Sequence, residues 1–246
     1  RRNMSNLWGF SDYFIQHPIL LLTLLAHVLA DFQWQSQKMA DLKCRKLPYL
    51  LLHLAIVFLP LLILSIFFPK NIIYFIAVWL SHVVIDFLKY RLNTFIEIKK
   101  LTKQVFIIDQ LLHLICIFLF YALLANKINP QWLKNGASVA QTLLFLAIVG
   151  KPVNILFKLF FNRYQSKGDN QDTIAGAGAM IGILERFIMA LSLIFGQFAS
   201  VGLVFTAKSI ARYNKISESQ SFAEYYLIGS LFSMISVLLT YGLLYW

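Results

Sequence analysis

The groups able to do chemistry in this chain are concentrated in its first half. Four histidines and three aspartates stand there in apolar sequence: His27 and Asp31, then His53, then His82 and Asp86, then Asp109 and His113. Two pairs read His-x-x-x-Asp and one reads Asp-x-x-x-His. Residues four apart share one face of a helix, so each pair can aim both side chains at one point. Imidazole and carboxylate suit zinc, manganese or iron, and seven such groups suffice for one or two ions. All seven are therefore expected metal ligands for a divalent transition metal, zinc first, with manganese or iron as alternatives.

The spacing of these residues along the chain also sets their depth. Counted inward from the nearest lysine that ends each apolar run, Asp31, His53, His82 and Asp109 lie about seven residues in, or about 10 Å at the helical rise. In each pair the histidine is the deeper member and the aspartate lies nearer the lysines. Reversing the motif between the third and fourth runs keeps that order only if the two helices are antiparallel. One layer, open toward the basic side, is expected. His17 lies outside it, as an interfacial residue.

The elements that must hold this layer are transmembrane helices. Hydrophobic residues make up 59 % of the chain and charged residues 13 %, a balance that would leave large apolar patches in water. Apolar runs long enough to cross about 30 Å of hydrocarbon recur throughout. The fold expected is an all-α polytopic transmembrane bundle of about eight helices, or seven, near residues 18–37, 48–68, 71–88, 104–125, 138–162, 173–196, 198–213 and 222–246. Residues 1–17 read as an interfacial segment, 18–130 as a four-helix half carrying the layer, and 131–246 as a half carrying basic residues. The polar gap from Asn162 to Asp172 reads as an exposed turn.

A net charge of +11 is explained by topology and not by a nucleic-acid partner. The basic loops Lys38–Lys46, Lys89–Lys103, Lys151–Lys167 and Lys208–Lys215 fall on alternate sides of the runs, which assigns them to the cytoplasm and both termini to the opposite side. The segment before His17 lacks the basic start and small-residue site of a cleavable signal. Cys44 and Cys116 form neither a metal-thiolate pattern nor a disulfide framework.

A second polar group lies in the later half. Lys151 stands in Val149-Gly150-Lys151-Pro152, where glycine and proline break a helix. Glu185 and Arg186 fall within the sixth run, and Lys208, Arg212 and Glu224 flank the last two. Charges at such depth are paired or functional. One arrangement pairs Lys151 with Glu185. The other makes Lys151, Glu185, Arg186, Lys208 and Arg212 a substrate-binding group whose cations hold an anion such as lipid phosphate. Gly176, Gly178 and Gly182 read as a close-packing helix face, not a phosphate loop.

The stretches Leu25-Ala26-His27-Val28-Leu29-Ala30-Asp31-Phe32-Gln33 and Gln37-Lys38-Met39-Ala40, with Lys43, His53, His82, Asp86 and Asp109-Gln110 with His113, resemble a family of bacterial membrane proteins known as domain-of-unknown-function family 3307. The resemblance extends less fully to Gly176–Arg186 and to Ala223–Gly229. It implies a bacterial inner membrane location and supplies no activity. The residues themselves point to an intramembrane metal-dependent hydrolase or transferase acting on a lipid or phosphoester at the cytoplasmic leaflet, with Asp86, or else Asp31, as general base. A metal-ion or proton transporter would use the same ligands, and a metal-stabilised sensor or assembly partner would need no chemistry. Membrane lipids are the expected partners, and a homo-oligomer is compatible with the pattern.

Overall fold

The computed structural model describes residues 10–128, 130–164 and 176–246, and every regular element among them is helical. Of the expected turn from Asn162 to Asp172, Asn162–Tyr164 form a 3-10 turn and the rest lies outside the described residues. Two compact units divide the described residues, one spanning Asp12–Leu144 and the other the later residues from Phe145 to Trp246.

The Asp12–Leu144 unit is built around α2, Pro18–Val28, which runs on through one π-helical turn at Leu29–Gln33. Proline suits the start of α2 because the first helical amides lack partners anyway. Every residue of α2 except Leu22 is buried, as suits a helix that is apolar all round. Helices α4 (Leu47–Phe67) and α6 (Thr102–Leu124) pack on it, and α5 (Ile72–Ile98) packs on both of these. The short α3, Gln37–Leu42, is capped by the Ser36 hydroxyl, which accepts from the Met39 amide at 3.2 Å. α1, Phe10–Gln16, meets α2 at a bend of 98°.

Six helical segments are long and apolar enough to cross a membrane, and the bent α1–α2 pair would make a seventh. The chain is thus an all-α, multi-pass membrane protein. Its outward faces carry Leu59, Ile66, Ile73, Leu123 and other large apolar side chains that require lipid as solvent. Three runs differ from expectation. The first stops at Gln33 instead of 37, because the chain turns at Trp34–Ser36 to begin α3. The third continues to Ile98, since Lys89 to Glu97 remain helical beyond the apolar stretch. The seventh, α11 (Ala199–Ala211), is only 13 residues long, about 20 Å, and falls short of the hydrocarbon thickness by itself.

In the other unit, α9 (Lys151–Phe161), α10 (Ala177–Ile194) and α13 (Gln220–Tyr245) pack together, with α11 on α10 and α12 (Tyr213–Glu218) on α13. The short α7, Gln131–Asn135, precedes α8, Ala137–Val149, which contains the division between the units.

Candidate metal centre

The π turn decides where Asp31 points. The Trp34 amide donates to the Leu29 carbonyl at 2.8 Å, five residues back, and Asp31 stands in the middle of the widened turn. Such turns recur at functional sites because they displace one side chain from the regular helical face. Asp31 keeps contact with its pair, Oδ2 lying 3.9 Å from His27 Nδ1, while Oδ1 reaches 3.4 Å from His82 Nε2 and 3.6 Å from His53 Nε2. Oδ1 is buried and makes no hydrogen bond among the described residues.

Helices α4 and α5 complete a triangle of donor atoms. His53 Nε2, His82 Nε2 and Asp86 Oδ2 are separated by 3.3 Å, 3.5 Å and 3.0 Å. Ligand atoms about 2.0–2.1 Å from a four-coordinate ion stand about 3.3 Å from each other, so this triangle has the size of one face of a metal tetrahedron. His27, Asp31 and His82 form a second group with ligand atoms close enough to share an ion, and His82 belongs to both.

His113 enters from α6 in a fixed tautomer. Its Nδ1 donates to the Asp109 carbonyl at 2.7 Å, which leaves Nε2 as a bare lone pair, buried and unpartnered among the described residues. A ring nitrogen anchored to a backbone carbonyl with its fellow left bare is the usual state of a ligating imidazole. The His113 ring lies 4.0 Å from that of His82 and 5.3 Å from that of His27, centre to centre. None of the seven histidines and aspartates is more than 7 % exposed. On the donor set and the orphaned atoms, the residues fit a transition-metal ion.

The aspartate side of the layer is closed by two lysines. Lys43, in the turn after α3, is buried, with Nζ 3.0 Å from His53 Nε2 and 3.4 Å from Asp86 Oδ2. Lys89 donates to Asp109 Oδ2 at 2.9 Å, and Gln110 donates to Asp109 Oδ2 at 3.2 Å and to Asp31 Oδ2 at 3.4 Å. Asp109 Oδ2 is thus occupied by cation and amide, while Oδ1 is buried and makes no hydrogen bond among the described residues; Asp109 stands beside the ion-sized triangle, not in it. On the histidine side, His27, His82 and His113 face a cavity of about 10 Å³, room for about one water.

A family model described as protein of unknown function, domain-of-unknown-function family 3307, matches residues 19–140. These residues form a domain of that family. The family 3307 domain takes in α2 to α6 and with them every histidine, aspartate and lysine of the centre. It ends before Gly176–Arg186 and Ala223–Gly229. No curated protein and no solved structure matches the chain.

Lys43, Lys89 and Gln110 are members of the centre that reading for ligands passes over. Lys43 and Lys89 fall in basic loops that topology already explains. A signal was nonetheless present, since Lys89 follows Asp86 by three residues and must share its helix face.

Outside the family 3307 domain, the second polar group is arranged differently from either expectation. α8 ends at Val149 and α9 begins at Lys151, so the helix is broken at Gly150. Arg186 is 2 % exposed and fills the break. Nε donates to the Val149 carbonyl at 2.5 Å, Nη2 to the Gly150 carbonyl at 3.2 Å and to Asn154 Oδ1 at 2.5 Å, and Nη1 to Ser233 Oγ at 3.2 Å. A guanidinium suits the negative end of a helix and its unpaired carbonyls. Arg186 is thus spent on backbone and neutral side chains rather than on an anion. Glu185 takes Lys208 at 2.7 Å, in place of Lys151. Lys151 starts α9 and Arg212 ends α11, both partly exposed.

Proposed function

We propose that the family 3307 domain holds a divalent transition metal, zinc first, and uses it for hydrolysis of a phosphoester or lipid at the lysine-bearing face, taken as the cytoplasmic face of a bacterial inner membrane. The observation that supports this reading best is the triangle of His53 Nε2, His82 Nε2 and Asp86 Oδ2, with edges of 3.0–3.5 Å. Four histidines and three aspartates in a membrane interior need a charge to organise them, and a bound cation supplies it. The cation would lower the pKa of a bound water to about 7. In this assignment His53, His82 and Asp86 ligate, with His27 and His113 completing the shell. Asp31, with an oxygen uncommitted to any hydrogen bond, is the general base, a role first expected of Asp86. Lys43 then offers its ammonium to the anionic group under attack.

Burial of the whole centre supports a second reading, a metal-ion carrier in its occluded state, since a carrier binds the same ion with no substrate opening. One preparation separates the two. Purified protein in liposomes is given zinc with bis(p-nitrophenyl) phosphate or phosphatidylglycerol vesicles. Zinc-dependent ester cleavage that is lost in His82→Ala supports the hydrolase. Zinc accumulation inside the liposomes without cleavage supports the carrier, and neither activity overturns both.

A further inference from the structure

A column of hydroxyl groups leaves the histidine layer on the side away from the lysines. Tyr74 on α5 precedes His82 by eight residues, and Tyr121 on α6 follows His113 by eight. In antiparallel helices both phenols therefore stand about 12 Å from the imidazole level, on the same side. Their rings meet edge to face at 5.7 Å, and they are 0 % and 2 % exposed. The Tyr121 hydroxyl pairs with His17 Nδ1 at 2.9 Å, 104 residues distant in sequence. His17 is half-buried in the break between α1 and α2, where the column reaches the end of the unit.

Toward the layer, the Tyr74 hydroxyl lies within reach of Thr23, though no hydrogen bond of close geometry forms there among the described residues. Thr23 is fully buried and donates to the Ile19 carbonyl at 2.8 Å, so its oxygen is left to accept. It lines the cavity next to His27, His82 and His113, and Ser81 adds a second hydroxyl to that wall. Packing alone does not account for two buried phenols, a buried threonine and a histidine in one file. An apolar helix interior would fill the same volume with leucine or phenylalanine and leave no orphaned hydroxyl.

We propose that His17, Tyr121, Tyr74, Thr23 and one water in the cavity form a proton path between the His17 end of the unit and the histidine layer. Tyr74 meets Tyr121 by ring contact alone and its hydroxyl makes no hydrogen bond in the resting geometry, so it must rotate between Tyr121 and Thr23; each hydroxyl then accepts a proton on one side as it releases its own on the other. One proton enters at the ring of His17 and one leaves at the cavity, with no other bond made or broken. On the far side the aspartates, Gln110, Lys43 and Lys89 continue the polar file to the basic end. The path goes beyond the proposed hydrolysis and does not require the ion.

The test is proton flux into liposomes that contain the full chain, a pH-sensitive dye and a potassium gradient clamped by valinomycin. Wild type is expected to acidify the lumen faster than protein-free liposomes. Tyr74→Phe and Thr23→Val remove one hydroxyl each at nearly constant volume and are expected to lose that flux to the protein-free level. Ser65→Ala, whose hydroxyl bonds to its own helix at Leu61, is expected to keep it. Helical circular dichroism and detergent elution equal to wild type in Tyr74→Phe and Thr23→Val show that the unit has folded. No flux in wild type, or undiminished flux in both column variants, overturns the path.

Discussion

Lys43 stands against the His53 nitrogen that the proposed metal ion would use. Nζ of Lys43 lies 3.0 Å from His53 Nε2, which is also 3.0 Å from Asp86 Oδ2, and in the tautomer that accepts from Lys43 this nitrogen has no second lone pair for an ion. The ammonium also balances Asp86 at 3.4 Å, and it would have to leave His53 for the proposed ion to bind there.

Replacing Lys43 by methionine keeps the stem and removes the charge. The Lys43→Met domain is expected to bind zinc more tightly than wild type by about tenfold or more, since even a screened repulsion of about 1.4 kcal/mol is that large. Competitive titration against a zinc dye reads the change. Weaker binding in this variant would make Lys43 part of the site's support and not its competitor.

The neighbouring thiol reports the same exchange. Burial pushes the Cys44 thiol above its ordinary pKa, so little thiolate forms at neutral pH, and maleimide labelling should be slow and should quicken as pH rises. In a Cys116→Ala background, zinc is expected to speed labelling of Cys44, because the turn that carries Lys43 must swing away from His53. Labelling that zinc slows would contradict the displacement.

Gln110 ties Asp31 to Asp109 and, among the described residues, makes no hydrogen bond to any of the four histidine rings. Outer partners of this kind are worth about 10–100-fold in metal affinity. Gln110→Leu is therefore expected to weaken zinc binding by about that factor while leaving the thermal stability of the ion-free protein nearly unchanged. Affinity equal to wild type would remove Gln110 from the centre.

The second unit makes a prediction about stability alone. A Cβ on Gly182 would meet Arg186 Nη1 at 3.2 Å, whereas nothing lies within 4 Å of one on Gly178. Gly182→Val is expected to destabilise by about 1–3 kcal/mol through overpacking, with Gly178→Ala close to neutral. Arg186→Leu should cost more, about 1–3 kcal/mol for each carbonyl left without a donor. Denaturation in detergent followed by tryptophan fluorescence gives the order, and equal effects at Gly182 and Gly178 would contradict the packing role of Gly182.

Much of the centre is legible in the chain because depth in a membrane can be counted. Seven residues separate Asp31 from Lys38 and His53 from Lys46, and helical rise converts that count directly into a common level. The widened turn at Leu29–Gln33 is not legible, since a π turn is set by how α2 fits its neighbours and leaves no mark in composition. The same holds for Lys43, whose position in a basic loop has a sufficient explanation in topology. Gly150-Lys151-Pro152 announces a broken helix plainly. That Arg186 fills the break does not follow, because its partners are carbonyls, which every residue has. The shortness of α11 was hidden by Lys208 and Arg212, which close an apolar run without showing how much of it crosses.

Metal content is the most direct measurement. Protein extracted gently in mild detergent and passed through a column free of chelators should carry a transition metal, with zinc foremost, by elemental mass spectrometry. His53→Ala and His82→Ala, folded as judged by their helical circular dichroism, should carry little. A wild-type protein without transition metal that also fails to take up added zinc would contradict the account and leave the layer a network of hydrogen bonds and ion pairs.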